Sequence, residues 1–334
     1  MQTAHIDSIK LVRNQAFDSV RGWLILSVVV GHVVLGSIHH QFVRYAIYAV
    51  HMPLFIALTG YLINTQKLYQ SSVLQSASRY WSRLVIPFIP AFVFFTGILI
   101  LHAAIEGRLS TSLLLAYLTT PYYHLWFVPT LLLWVGGLAL LLKARVPELL
   151  MCVLLAPLAL FWAGFDMALI PTVFLSKKVF YYAYFFFLGL VCRRYIKSWQ
   201  GFIQRGRLSF FALVAICAIC AILYMSYCGQ LATPWSALAW FILNTGLVLL
   251  VLDWILSHAA SSQSSWLGLM GRHSLPIYLW HVVPMFLLKG LDIHQSQPFV
   301  YYLISVISCV LLIVFVSKFE NRSPVLNKWF YGVV

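Results

Sequence analysis

The sequence predicts an all-α fold, a polytopic integral membrane bundle of about ten transmembrane helices that forms a single domain over residues 1–334. Three observations predict it. Hydrophobic residues make up 62% of the chain and charged residues only 9%, where a soluble domain carries about 25% charge. Mean hydropathy is +0.89. Apolar runs of the length needed to cross about 30 Å of hydrocarbon recur from one end of the chain to the other.

Ten runs carry the prediction, at about 20–38, 44–63, 84–104, 123–142, 147–163, 179–192, 208–226, 233–255, 274–290 and 299–317. The first holds RGWLILSVVVGH, opening on Arg21 and reaching His32 near mid-depth. The second begins near Arg44; within it Pro53 favours a kink and Gly60 permits close packing. The third is entered through SRYWSRLVIPFIP, with two arginines at its edge. The fourth is entered through Tyr122, Tyr123, His124 and Trp126, aromatic residues of the kind expected at an interface whatever the function. The fifth follows closely, and the sixth is short as drawn and extends outward. The seventh contains CAIC at 217–220, and the eighth ends near Asp253. A small-residue loop, SHAASSQSSWLG, closes on Trp266 before the ninth run, and the tenth leads to the C-terminus.

Charge orients the bundle. With the N-terminus in the cytoplasm, seventeen Lys and Arg fall inside and five fall outside: Arg44, Arg108, Lys177, Lys178 and Lys289. This is the positive-inside pattern, and it supports an even number of spans with both termini cytoplasmic. It also explains the net charge of +14 without a nucleic-acid partner, because anionic lipid headgroups suffice. The N-terminal MQTAHIDSIKLVRNQAFDS contains acids and no cleavage-site pattern, so no removable signal peptide is expected. The six cysteines are scattered at 152, 192, 217, 220, 228 and 309, which indicates neither a disulfide framework nor a zinc site, and no metal is expected. There is no phosphate-binding loop, dinucleotide fingerprint, zinc-protease signature or internal repeat.

Ionisable side chains at membrane depth are costly and mark candidate sites. Arg21 and His32 are eleven residues apart, so they differ by only about 20° around a helix and lie roughly 16 Å apart along it. Asp18, three residues before Arg21, is placed to hold its guanidinium. Gly31 removes bulk beside His32. The alternative readings are an interhelical hydrogen-bonding histidine and a snorkelling positive-inside arginine; the shared face favours a site. Arg79 and Arg83 are four residues apart and share a face, where two like charges suit an anion such as phosphate. His124 and Trp126 suit a sugar-sized cleft, and GRHSLPIYLWHVV places Arg272 at the inner edge with Tyr278 and His281 deeper.

These residues also carry a resemblance. FDSVRG at 17–22 followed by Gly31-His32, MPLFIALTGYL at 52–62, Arg79 and Arg83 ahead of LVIP, HLWFVP at 124–129, FFFLGL at 185–190 and GRHSLPIYLWH at 271–281 run in the order of a family pattern. The chain resembles the membrane-bound acyltransferase-3 family, whose members O-acylate polysaccharides, lipopolysaccharide, peptidoglycan, exopolysaccharides and some small molecules. It departs from the pattern in having Thr59 where serine is common, one more residue between Arg79 and Arg83, and His273 where asparagine is frequent.

The resemblance implies ten spans in a bacterial inner membrane and an acyl-CoA donor, commonly acetyl-CoA, supplied from the cytoplasm as a substrate rather than a resident cofactor. It carries the family histidine and arginine onto His32 and Arg21. Arg21, Arg79, Arg83 and Arg272 are then expected to clamp the donor phosphates, His32 to act as general base with Arg21 and Asp18 beside it, and His124, Trp126, Tyr278 and His281 to line the acceptor site. The expected acceptor is a glycan or lipid-linked sugar. The sequence shows no esterase-type domain after the last span, so transfer is expected to be completed within the bundle or with a separate periplasmic partner. The competing function is a transporter of a glycan or lipid precursor without covalent chemistry.

Overall fold

A computed structural model describes residues 15–36, 41–122, 124–164, 177–203, 222, 227–228, 233–257, 266–320 and 322–332, which form helices and turns with no strand among them. Among the described residues, five helices are long and apolar enough to cross a membrane: Gln15–Val33, Phe42–Leu62, Val73–Ile105, Ala237–Leu256 and Pro298–Phe319. The seventh expected span, 208–226, lies almost wholly outside the described residues.

In order, α1 is Gln15–Val33, α2 Phe42–Leu62 and α3 the short Thr65–Gln70. Then come α4 at Val73–Ile105, α5 at Thr111–Thr119, α6 at Phe127–Lys143, α7 at Glu148–Gly164 and α8 at Lys177–Ile203. The last five are α9 at Thr233–Ser257, α10 at Trp266–Arg272, α11 at Ser274–Trp280, α12 at Val282–Gly290 and α13 at Pro298–Phe319.

Several helices begin earlier than hydropathy indicates, for local reasons. Asn64 and Ser72 cap α3 and α4, and Ser72 with Gln75 completes a reciprocal capping box. The polar turn VLQSASRY is therefore helical before the apolar run starts. Within α4 the turn Trp81–Val85 widens to a π-helix. Pro87 has no N–H for the Arg83 carbonyl and its ring crowds that oxygen, so the ladder shifts register and Ile86 donates to Trp81 instead. The ninth expected span, 274–290, is corrected to a broken run, α10–α12. Trp266 opens it rather than ending a loop, and it breaks at His273 and His281. Pro276 and Pro284 each lie three residues past a break and remove an N–H from the ladder there.

Two close crossings hold the bundle. At the first, α1 lies on α10, and a Cβ at Gly22 would run into the Leu267 carbonyl while one at Gly271 would run into the Asp18 carbonyl. At the second, α2 lies on α8, where Gly60 faces the Phe186 carbonyl and Gly189 faces the Ala57 carbonyl. Small residues are what let helix backbones meet without a hydrophobic driving force. Arg193 donates to the Tyr61 carbonyl (3.3 Å) and the Ile63 carbonyl (2.6 Å), closing the C-terminal end of α2. Along α13, Leu303, Ile307, Val310, Leu311 and Val314 are exposed, a continuous apolar face suited to hydrocarbon. After α13 the chain folds back as the turn Asn327–Tyr331, and the Tyr331 hydroxyl donates to the Val316 carbonyl at 2.5 Å. Burial, with Glu320 second, pushes that phenol up to about 12, so it stays a donor.

Candidate active site

α1 begins at Gln15, five residues before its apolar run. Gln15, Asp18 and Ser19 lower the local hydropathy without breaking the helix. Arg21 is therefore in the second turn rather than at the opening, and His32 is in the last turn rather than midway along. Their spacing along the unbroken helix is the expected roughly 16 Å, and both meet the run α10–α12. Arg21 donates through Nη2 to Ser274 Oγ at 2.9 Å, across 253 positions of sequence. The His32 ring meets the His281 ring at 5.0 Å. The Asp18 backbone forms part of the crossing with Gly271, which brings the carboxylate's own turn against α10.

Three histidine rings converge beside the end of α1. His32 is 6.3 Å from His124 and 5.0 Å from His281, and His124 is 5.6 Å from His281, all edge to face. His281 occupies the break between α11 and α12 and is wholly buried. Its Nδ1 donates to the carbonyls of Ile277 (3.1 Å) and Tyr278 (2.9 Å). In the neutral ring Nε2 then carries the lone pair, and this buried atom has no hydrogen-bond partner among the described residues. His124, also buried, donates from Nε2 to the Leu279 carbonyl at 3.3 Å. Its Nδ1 is left as a buried acceptor without a partner among the described residues. Two fixed acceptor nitrogens thus flank a third, half-buried imidazole.

Of the remaining expected acceptor residues, Tyr278 pins this arrangement. Tyr278 is buried and its hydroxyl donates to the His124 carbonyl. Trp126 stacks on Tyr182 at 5.4 Å, just ahead of α6. Sequence reasoning assigned no role to Tyr48, whose hydroxyl lies 3.3 Å from both nitrogens of His32. His51, a turn further along α2 and a candidate by sequence, is buried with Nδ1 bonded to the Ile47 carbonyl at 2.5 Å. The signal for Tyr48 was its i,i+4 relation to Arg44 and i,i+3 relation to His51 on one helix face.

Arg79 and Arg83 line one open cleft of about 930 Å³ with Gln75, Ser78, Ser82 and Gly332. The π-turn between them does not turn them apart. Arg79 donates to Ser71 Oγ at 3.3 Å, and the Arg83 backbone lies against Gly332, whose φ of +67° suits glycine. Arg272 is exposed at the end of α10 and does not line this cleft. His273, in the position where the resemblance led to asparagine, is buried 3.6 Å from Glu320. Among the described residues, no group of three or more His, Cys, Asp or Glu side chains is arranged to hold a metal ion.

A family model described as an acyltransferase domain matches residues 14–318, nearly the whole chain. Helices of this length and apolarity together with that match define a membrane protein of the acyltransferase class. The chain belongs to the acyltransferase-3 family. No curated protein and no solved structure matches it.

Proposed function

We propose that this protein transfers an acyl group, acetyl in the first instance, from cytoplasmic acyl-CoA to a hydroxyl of a cell-envelope glycan or glycolipid. In this reading it crosses the bacterial inner membrane ten times with both termini in the cytoplasm. The observation that carries the reading is the position of His32, whose ring stands between the Tyr48 hydroxyl and two histidines that offer only lone pairs. Such a pocket suits a ligand that donates protons, as sugar hydroxyls do.

Neutral His32 takes the proton of the attacking hydroxyl as its oxygen bonds to the thioester carbonyl. The tetrahedral intermediate collapses with loss of the CoA thiolate, which leaves as the thiol after receiving that proton. His281 Nε2 and His124 Nδ1 accept hydrogen bonds from further acceptor hydroxyls and fix which one faces His32. The paired guanidinium groups of Arg79 and Arg83 suit the donor phosphates, and Arg21, held by Ser274, stands between that end and the histidines.

Purified protein is given labelled acetyl-CoA and cell-envelope acceptors, and CoA release and acceptor acylation are followed together. His32→Ala should lower transfer by about 10²–10⁴-fold, the usual worth of a positioned general base, with insertion unchanged. Acyl transfer at the wild-type rate by H32A overturns the assignment. Vectorial movement of acceptor without CoA release supports transport instead.

A further inference from the structure

Five cations lie on the sparsely charged side of the bundle, and two of the described ones are accounted for differently. Arg108 is paired with Glu106. Arg44 has no carboxylate partner among the described residues. It opens the first turn of α2, at the end where α1 finishes, and α12 packs against α1 there as well. Its guanidinium lies 5.5 Å over the Tyr48 ring, the same ring whose hydroxyl meets His32. One of its N–H groups has the Gly36 carbonyl, and the buried Nε has no partner among the described residues. Lys289 is in the last turn of α12, the helix that starts next to His281 and packs on α1.

Two cations brought together repel unless an anion lies between them. Of the eight acids in the chain, Asp7 and Asp166 lie outside the described residues, and three of the rest are held elsewhere: Glu106 by Arg108, Glu148 by Arg194, and Glu320 by His273. Asp18 and Asp253 lie near the opposite end, by their places in α1 and α9. Asp292 is three residues beyond Lys289 and makes no ion pair with it among the described residues. A packing role for Arg44 on Tyr48 explains its stem and one N–H, and leaves a buried donor unmet. A phosphate or carboxylate meets the guanidinium fork and the ammonium together.

We propose that Arg44 and Lys289 form an anion-recognition site at the end of the bundle opposite the Arg79–Arg83 cleft, taking a phosphate or carboxylate carried by the acyl acceptor. The acceptor would thus be a charged glycan, such as a sugar phosphate or uronic acid, and its anchored anion would sit beside Tyr48 with a neighbouring hydroxyl at His32. The anion site stands on its own geometry, whereas its assignment to the acceptor rests on the acyl-transfer reading.

The test uses the full chain in phosphatidylcholine nanodiscs, in an Arg79→Gln/Arg83→Gln background that removes the other arginine pair. Inorganic phosphate binding is titrated at low salt. Arg44→Gln should weaken it about tenfold and Lys289→Gln severalfold, while Arg44→Lys should restore only part of the loss. Lys289 is exposed, so its variant reads the site without a folding penalty. Phosphate affinity unchanged in both glutamine variants overturns the site. Repeating the titration in phosphatidylglycerol nanodiscs separates the sources: loss of phosphate binding there means a lipid headgroup holds the site and overturns the acceptor assignment. In the acylation assay, Arg44→Gln with intact Arg79 and Arg83 should raise the acceptor KM and spare the donor KM. An unchanged acceptor KM overturns the assignment to the acceptor. Failure of acyl transfer itself shows separately, as wild-type protein that binds phosphate yet releases no CoA.

Discussion

Ser274→Ala tests whether Arg21 works through the partner that the fold supplies. Arg21 is half-buried, and its Nη2 donates to Ser274 Oγ at 2.9 Å, while Ser274 is 1% exposed. A hydrogen bond to a charged group is worth about 1.5–3 kcal/mol, and partial exposure of the guanidinium places this one at the lower end. About 1.5 kcal/mol corresponds to a roughly tenfold fall in kcat/KM for the donor if the bond holds Arg21 in its working position. The assay is CoA release by purified Arg21→Ala, Ser274→Ala and the double variant, with thermal unfolding as a control for folding. Arg21→Ala alone should cost more than Ser274→Ala, and the double variant should be little worse than Arg21→Ala. Losses that add within about 0.5 kcal/mol would mean the two residues act independently. An unchanged donor kcat/KM in S274A would refute a positioning role for the bond.

Tyr48→Phe removes the hydroxyl beside His32 and keeps the ring under Arg44; it should lower acyl transfer about tenfold with little change in unfolding temperature, measured in the same assay. Arg79→Gln and Arg83→Gln should each raise the donor KM and flatten its dependence on salt, since screening acts on the charge they remove; an acceptor KM that moves instead would misplace the cleft. Gly271→Ala should destabilise the protein by about 1–3 kcal/mol, because a Cβ there meets the Asp18 carbonyl and neither backbone yields easily. Its thermal unfolding in detergent reads this, and Gly97→Ala, with open space around the new methyl, serves as the neutral comparison.

The helical membrane fold was legible because it depends on composition and run length, properties that single residues carry additively. The pairing of Arg21 with His32 was legible for a related reason, since a regular helix converts spacing into direction. What hydropathy misplaces are the ends. Gln15 and Asp18 are polar yet helical, and Ser72 caps a polar turn that is helical from Val73, so α1 and α4 start before their apolar runs. The break at His281 follows from Pro284, a local cue that the smooth average over 274–290 conceals. Ser274 as the partner of Arg21, Tyr48 beside His32 and the Gly22–Gly271 crossing are long-range facts. They depend on which helices pack together, and no periodicity within one helix encodes that.

The proposed role of His32 as proton carrier, among four clustered histidines, is supported by how each ring is held. His51, His124 and His281 each bond a backbone carbonyl through one nitrogen, at 2.5, 3.3 and 3.1 Å. A carbonyl is an obligate acceptor, so that nitrogen keeps its hydrogen and the tautomer is set. Protonating the other nitrogen would create a cation in a fully buried ring, at a high desolvation cost. His32 is the least buried of the four, and its nitrogens face a phenol that can either donate or accept. Either tautomer of His32 can therefore bond that phenol. The fixed rings orient a hydroxyl-bearing ligand, and the adaptable ring is left to exchange with it. Replacing His281 by Asn, which can offer a lone pair but not a ring, should then raise the acceptor KM while leaving the donor KM unchanged.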